Sequence, residues 1–266
     1  MASKKRLFLI LWIAGICGVL SFLLVDISAV IRAFPLPEGT PPPELPPPAL
    51  LKLATVFQPA VLTSLAVIIG MWLAPKVGLH APTAEAIAER RPVWPELRRQ
   101  LFPGIVSGLL SGIGIVAIWV IAKPFMPAEF VERAVEFNKF IPHAVRILYG
   151  GFTEEILLRW GFMTFLVWLF DRIARSKNSG DPAQPQSILF WISIFISAIA
   201  FGAGHLPVAS ALAGGLTIPI AIFVIVGNSI FGIVAGFLYW RSGLEAAMLA
   251  HMSAHLVLIA AIALAL

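Results

Sequence analysis

Three charged side chains interrupt one apolar run of the sequence, residues 147–170: Glu154, Glu155 and Arg159. Charged groups are costly in hydrocarbon, and they persist there when they are paired, face a polar cavity or serve a reaction. On an α-helix, residues four positions apart share a face, so we expect Glu155 to pair with Arg159 and Glu154 to point elsewhere. Burial without a partner disfavours the charged form of a carboxylate, which suits such a group to act as a general base. The three residues therefore form either a structural ion cluster or part of a catalytic site.

Three histidines in two later apolar runs offer further chemistry. His205 lies one helical turn beyond Phe201, a position that by itself is typical of a residue at the membrane interface. His251 and His255 are four residues apart and share one helix face. This is the ligand spacing of a zinc helix, although Met252 stands where the usual metalloprotease signature has a glutamate. The pair therefore forms either a polar helix contact or part of a site.

The composition predicts an integral membrane protein. Of the 266 residues, 59% are hydrophobic and 12% are charged, with a mean hydropathy of +0.92. Soluble domains are about half apolar and about a quarter charged. The net charge of +5 comes from basic residues beside apolar runs, which favours membrane orientation. The basic clusters lack interleaved aromatic residues, so we expect no nucleic-acid partner. The single cysteine, Cys17, excludes a disulfide framework and a thiol metal cluster.

Hydrophobic runs predict an all-α, polytopic helical bundle with seven spans. A further piece at about 208–216 is too short to span and is predicted to be re-entrant; an eighth span is the alternative. The basic loop residues then place the N-terminus in the cytoplasm, and we expect a multi-pass protein of the plasma (inner) membrane. The runs lie at about 7–31, 53–73, 104–122, 147–170, 187–205, 217–240 and 244–265.

Taken together and in this order, the motifs resemble the CAAX-protease and bacteriocin-processing (CPBP, or Abi) family of intramembrane endopeptidases. The family has Glu-Glu-x-x-x-Arg, then Phe-x-x-x-His, and finally a histidine followed four residues later by Asn or Asp. The resemblance covers about residues 147–260. The matching residues are Glu154, Glu155 and Arg159, then Phe201 and His205, then His251, with His255 in the Asn place.

The resemblance implies a role for each of these residues. Glu154 would activate water for peptide hydrolysis with the help of His205, and His251 and His255 would stabilise the oxyanion. Glu155, Arg159 and Phe201 would orient the site. It also implies a catalytic core at 141–266. Residues 1–140 lie outside the resemblance, and their apolar runs and proline content predict transmembrane helices with a proline-rich loop at 34–48. The expected substrates are membrane-anchored or lipidated proteins or peptides, held at the lipid bilayer, and no cofactor is expected.

His255 leaves alternatives open because it stands where relatives carry Asn. It could preserve the hydrogen-bond donor, join His205 and His251 as a third zinc ligand, or mark a member that has lost catalysis. The rival functions are thus a zinc-dependent intramembrane protease with Glu154 as base, a non-catalytic immunity or partner-binding protein, and a proton-coupled carrier. The sequence shows none of the internal repeats typical of many carriers.

Overall fold

The computed structural model describes residues 2–35, 39, 41, 44–177 and 185–264. Within these residues every regular element is helical, as predicted. Besides α-helices there are two π-helical segments, π1 (Arg146–Glu154) and π2 (Ile156–Met163), and three 3-10 turns, at Phe22–Leu24, Ala74–Lys76 and Lys123–Phe125. The α-helices are α1 (Ala2–Ser21), α2 (Ile27–Ala33), α3 (Pro48–Leu73), α4 (Pro82–Glu89), α5 (Trp94–Ala122), α6 (Ala128–Phe140), α7 (His143–Val145), α8 (Thr164–Lys177), α9 (Ser187–Gly204), α10 (Leu206–Ala213), α11 (Ile218–Ser242) and α12 (Leu244–Ala263).

Six of the described helical stretches are long and apolar enough to cross a membrane, which supports a multi-pass membrane protein. The predicted count of seven spans plus a re-entrant piece is not confirmed. The fourth run, 147–170, is not among the six, and the piece at 208–216 falls largely in α10, which extends the span of α9. The six stretches are Ser3–Leu24, Pro48–Lys76, Trp94–Phe125, Ser187–Ala213, Ile218–Ser242 and Leu244–Ala263.

The first apolar run, predicted as one segment over 7–31, is divided in two. A turn separates α1 from α2, and the side chain of Asp26 accepts a hydrogen bond from Ala29 N at 3.0 Å. This N-cap satisfies a free backbone donor at the start of α2, so α2 begins as a new helix. Of the proline-rich loop predicted at 34–48, residues 36–38, 40, 42 and 43 lie outside the described residues.

The exposure of side chains is inverted relative to a soluble protein. Large apolar residues such as Phe57, Trp72 and Phe102 are exposed on the outside of the bundle, whereas Glu155 and Arg159 are completely buried. Lipid can solvate the apolar exterior, whereas this charged pair is confined to the interior of the bundle.

Helix α12, which carries two of the candidate histidines, is packed closely against α5. Gly104, Gly108 and Gly112 form a stripe along α5 that faces α12. A Cβ atom on Gly104 would lie 2.9 Å from the carbonyl oxygen of Ala246, and one on Gly112 would lie 2.9 Å from that of Ala254. Small residues spaced four apart allow two helix backbones to approach in this way. The stripe thus fixes the position of α12 relative to the rest of the bundle.

A second, smaller apolar core joins α6 to α10 and α11. Its buried members include Phe130 on α6, Leu212 on α10, and Ile220 and Val224 on α11. The outer face of α6 carries charged residues, so the helix is amphipathic and lies with its apolar face toward the bundle. This packing closes one side of the cavity described next.

Candidate active site

The chain around both glutamates is largely π-helical, whereas the spacing argument assumed an α-helix: Glu154 ends one π-helical segment, and Glu155 lies between it and the next. Segments π1 and π2 cover residues 146–154 and 156–163. A π-helix bonds i to i+5, is rare, and occurs often at functional sites. The side-chain directions therefore differ from those of an α-helix, and both Glu154 and Glu155 turn toward α12.

Glu155 pairs with Arg159, as predicted, and also with a residue of α12. Its Oε2 lies 3.2 Å from Arg159 Nε, and its Oε1 lies 2.7 Å from His251 Nδ1. Both members of the ion pair are completely buried, so the cost of removing them from water must be offset by good partners. Arg159 Nη2 donates a further hydrogen bond to the carbonyl oxygen of Gly232 at 3.1 Å. The network links π2, α11 and α12 at one point.

Two phenylalanines enclose the Arg159 guanidinium. Its Cζ lies 5.1 Å from the centre of the Phe201 ring and 5.8 Å from that of Phe231. Rings at this distance attract a cation through their quadrupole. The same two rings contact His251, with centroid separations of 5.8 and 4.4 Å. Phe201 therefore touches both the ion pair and the candidate histidine.

His251 lies between the two glutamates. Glu155 occupies its Nδ1 side, and Glu154 Oε2 lies 3.6 Å from its Nε2. Glu154 has no predicted partner close to it in the sequence. In the folded chain, however, His251 of α12 lies beside it. His255 stacks on His251 with its ring centre 4.9 Å away and the two planes 16° apart. The buried Nδ1 of His255 has no hydrogen-bond partner among the described residues.

His205 occupies the junction between α9 and α10. Its Nδ1 lies 2.8 Å from the carbonyl oxygen of Phe201. A carbonyl oxygen only accepts, so this contact places a proton on Nδ1, and in the neutral imidazole Nε2 then carries the lone pair. Proline disrupts a helix interior, so Pro207 predicts the end of the helix here. It lies instead in the first turn of α10, where proline is well tolerated, and the chain resumes as a helix.

One cavity of about 490 Å³ brings the four candidate catalytic residues together. Glu154, His205, His251 and His255 all line it. The wall on the side of α6, α10 and α11 is apolar, with Phe130, Leu212 and Val224 among its residues. The predicted convergence is thus present as geometry, while the chemical role of each residue remains a prediction. The cavity offers a carboxylate and three imidazoles beside an apolar wall.

The sequence analysis assigned no site role to four further polar residues that line this cavity: Asn138, Arg146, Tyr149 and Asn228. In the sequence, Arg146 ends a stretch of mixed charges at 123–146 that is typical of a loop, whereas in the structure it is the first residue of π1. The sequence allows Asn228 either to line a cavity or to join two helices. Its Nδ2 donates to Val224 O within α11 at 2.8 Å, while its side chain lines the cavity. The only feature of the sequence that indicated a role for Arg146 was its position directly before the apolar run 147–170.

Among the described residues, no three His, Cys, Asp or Glu side chains are grouped so that they would hold a metal ion. His251, one of the three candidate zinc ligands, already uses its Nδ1 in a hydrogen bond with Glu155. The zinc alternative would have to use Nε2 of this residue, which faces Glu154.

The fold and the site together define a polytopic helical membrane protein with a buried glutamate–histidine site. Residues 136–257 match the family model described as Rce1-like, type II CAAX prenyl endopeptidase. The match covers somewhat less than half of the chain and includes every candidate site residue. The resemblance to the CAAX-protease family is therefore confirmed. No curated protein and no solved structure matches the chain.

Proposed function

We propose that this chain is an integral-membrane endopeptidase of the CAAX type that hydrolyses peptide bonds with a glutamate-activated water. The observation that carries the proposal is the convergence of Glu154, His205, His251 and His255 on one cavity within the matched segment. Peptide hydrolysis requires an activated nucleophile and fixed donors aimed at the developing negative charge. The cavity supplies candidates for both.

Glu154 is the proposed general base. It removes a proton from a water molecule, and the resulting hydroxide adds to the carbonyl carbon of the scissile bond. His205 helps to place this water, because its free Nε2 accepts a hydrogen bond while Nδ1 is held by Phe201 O. When the C–N bond breaks, Glu154 returns the proton to the leaving nitrogen. The products are a carboxylic acid and an amine, so the atoms balance.

His251 and His255 are the proposed oxyanion donors. The Nδ1 of His251 already faces Glu155, so its Nε2 can donate only if the Glu155–His251 pair holds two protons. Either the imidazole carries both, or the Glu155 carboxyl keeps one and donates it to Nδ1. Arg159 lies 3.2 Å from the other oxygen of the Glu155 carboxyl group, so the position of the shared protons depends on both residues. Glu155 and Arg159 thereby set the donor state of His251.

The surroundings of the site support membrane-anchored or lipidated proteins or peptides as substrates. The apolar wall of the cavity suits an apolar group, and the exterior of the bundle suits lipid. We further propose that π1, π2 and α8 form a seventh span and that the N-terminus lies in the cytoplasm of the inner membrane, in keeping with the basic loop residues. The proposed reaction uses no metal.

Turnover by the purified full-length protein tests this function. Internally quenched peptides should be supplied in matched pairs, with and without a prenylated cysteine, to the wild type and to Glu154→Gln. We expect cleavage by the wild type and a loss of about 10²–10⁴-fold in the variant, the usual contribution of a general base. The yield and thermal unfolding of the variant should be unchanged. Absence of cleavage of every peptide, or equal turnover by Glu154→Gln, would refute the proposal.

A further inference from the structure

A second pocket lies at the end of the bundle where α5 and α12 begin and α11 ends. It has a volume of about 280 Å³ and shares no lining residue with the cavity that contains Glu154. The reaction proposed above uses none of its side chains. Its polar lining residues include His80, Glu96, Arg99, Gln100, Arg241 and Ser242.

This pocket lies at the level where three membrane-spanning stretches end. The stretches Trp94–Phe125, Ile218–Ser242 and Leu244–Ala263 each have one end here. Trp240 lines the pocket, and Trp94 is exposed at the start of α5. Tryptophan is enriched at the two interfaces of a membrane, at the depth of the lipid headgroups. The pocket is therefore placed to meet a headgroup.

The wall of the pocket carries a net positive charge. Arg241 is exposed and has no carboxylate within ion-pair distance in the part of the chain that the structure describes; its Cζ lies 5.4 Å from the centre of the Trp240 ring. Glu96 is the one carboxylate of the described lining. It lies 3.6 Å from Arg91 and 3.9 Å from Arg99, so its charge is already compensated.

Neutral donors lie beside these charges. Gln100 is buried, and its Oε1 accepts a hydrogen bond from Thr83 at 3.4 Å. Its Nε2 carries two N–H groups and makes no hydrogen bond of good geometry to the described residues, so a donor remains at the base of the pocket. Gly243 has a φ of +101°, and a Cβ there would lie 3.4 Å from this nitrogen. Glycine thus lets the turn between α11 and α12 pass close to Gln100.

The chemistry of the wall selects an anion with several oxygens. A guanidinium fork matches the oxygens of a phosphate group, and amide and hydroxyl donors can complete its hydrogen bonds. Basic pockets between transmembrane helices bind anionic lipid headgroups in this way. A headgroup that also carries an ammonium group would bring a further positive charge close to Arg99 and Arg241. The pocket therefore favours an anionic phospholipid over a zwitterionic one.

We propose that this pocket binds the phosphate group of an anionic phospholipid, with Arg99 and Arg241 as the charged partners and Gln100 and Ser242 as neutral donors. The orientation proposed above places it in the cytoplasmic leaflet, whose surface potential is negative because it contains anionic lipids. The inference concerns lipid binding and does not depend on the proposed reaction.

The test compares two short-chain lipids with identical tails, dioctanoyl phosphatidylglycerol and dioctanoyl phosphatidylcholine. Each is titrated into the delipidated full-length protein in a neutral detergent, and native mass spectrometry counts the lipids bound per chain. We expect phosphatidylglycerol to occupy one site about 10- to 100-fold more tightly, the usual effect of a charged hydrogen bond. Arg241→Gln should remove most of this preference, whereas Arg241→Lys should retain part of it because the charge remains.

Arg98→Gln is the matched control. Arg98 carries the same charge, is exposed and lies next to Arg99 on α5, but it does not line the pocket. The substitution should leave the preference intact, which separates a specific contact from general attraction to a basic surface. Inorganic phosphate, added as a competitor, distinguishes a lipid from a free anion. We expect it to displace phosphatidylglycerol only at much higher concentrations than those of the lipid.

Four results would overturn the inference. Equal binding of the two lipids by the wild type would do so even if Arg241→Gln fails to fold. A preference that survives in Arg241→Gln would exclude the charged contact, and a preference lost equally in Arg98→Gln would show a general surface effect. Displacement by inorganic phosphate at the concentration of the lipid would assign the pocket to free phosphate instead.

Discussion

Glu155 Oε1 lies 2.7 Å from Nδ1 of His251, although the two residues are 96 positions apart in the chain. This contact joins the two parts of the proposed mechanism, because the first motif supplies the base and α12 supplies the oxyanion donors. The other oxygen of Glu155 faces Arg159, and these two residues form the only completely buried ion pair among the described residues. The Glu155 carboxylate therefore connects this pair to the cavity. Stability and donor chemistry therefore depend on the same side chain.

Replacement of Glu155 by glutamine should reduce the amount of folded protein. The variant leaves Arg159 completely buried without a negative partner, and loss of one member of a buried pair typically costs about 3–5 kcal/mol. Thermal unfolding and yield after purification measure the effect. Glu136→Gln removes an exposed ion pair with Lys139 and should change neither quantity appreciably. Full yield of Glu155→Gln with normal unfolding would show that the pair is not needed for the fold.

The sequence predicted the helical class and the residues that meet at the site. Composition alone required a membrane bundle, and the spacing of Glu155 and Arg159 predicted their pairing, which the structure confirms at 3.2 Å. The convergence of the four candidate catalytic residues followed from the resemblance and from the cost of leaving each polar group alone in lipid. Their roles still await experiment.

Other features had no readable signal in the sequence. A π-helix has no distinctive hydrophobic period, so the reorientation of Glu154 toward α12 was not predictable from spacing. His251 as a partner of both glutamates is a long-range contact set by the packing of α12 on α5. Arg146 resembled an ordinary loop charge because its place in the cavity depends on how α6 folds back over the bundle.

Treatment with a chelator should leave turnover unchanged. The proposed base is a carboxylate, and the proposed oxyanion donors are imidazoles, so no step is assigned to a metal ion. Purified wild-type protein should be assayed before and after incubation with a chelator and should also undergo elemental analysis. One zinc ion per chain, together with activity that is lost on chelation and restored by zinc, would establish the zinc-dependent alternative instead.

A methyl group at position 150 should inactivate the site while leaving the fold intact. A Cβ on Gly150 would lie 2.6 Å from Nε2 of His255 and 3.0 Å from Nε2 of His251, so at least one imidazole must move. A displacement of about 1 Å at an active site can cost about 100-fold in rate. Gly150→Ala should therefore lower turnover by roughly that factor. Its thermal unfolding should remain near that of the wild type, because the contacts are with the ends of side chains.

Gly114→Ala is the control for this substitution. Outside the neighbouring backbone of α5 itself, no atom of the described residues lies within 4 Å of a Cβ placed on Gly114, so the change adds a helix-favouring residue without a clash. It should leave turnover as in the wild type. If both alanine variants retain full turnover, the imidazoles near Gly150 are not positioned for catalysis.

Replacement of His255 separates a hydrogen-bond donor from a metal ligand. His255 stacks on His251 in the cavity, in the place where the family resemblance expects Asn, and both side chains can present an N–H there. His255→Asn should keep most of the turnover, whereas His255→Ala should lose about 100–1,000-fold, the usual effect of removing one oxyanion donor. Turnover is to be measured with the quenched peptides, and bound zinc is to be measured in each variant. If Asn is as inactive as Ala and bound zinc disappears from both, then His255 is a ligand and the donor assignment fails.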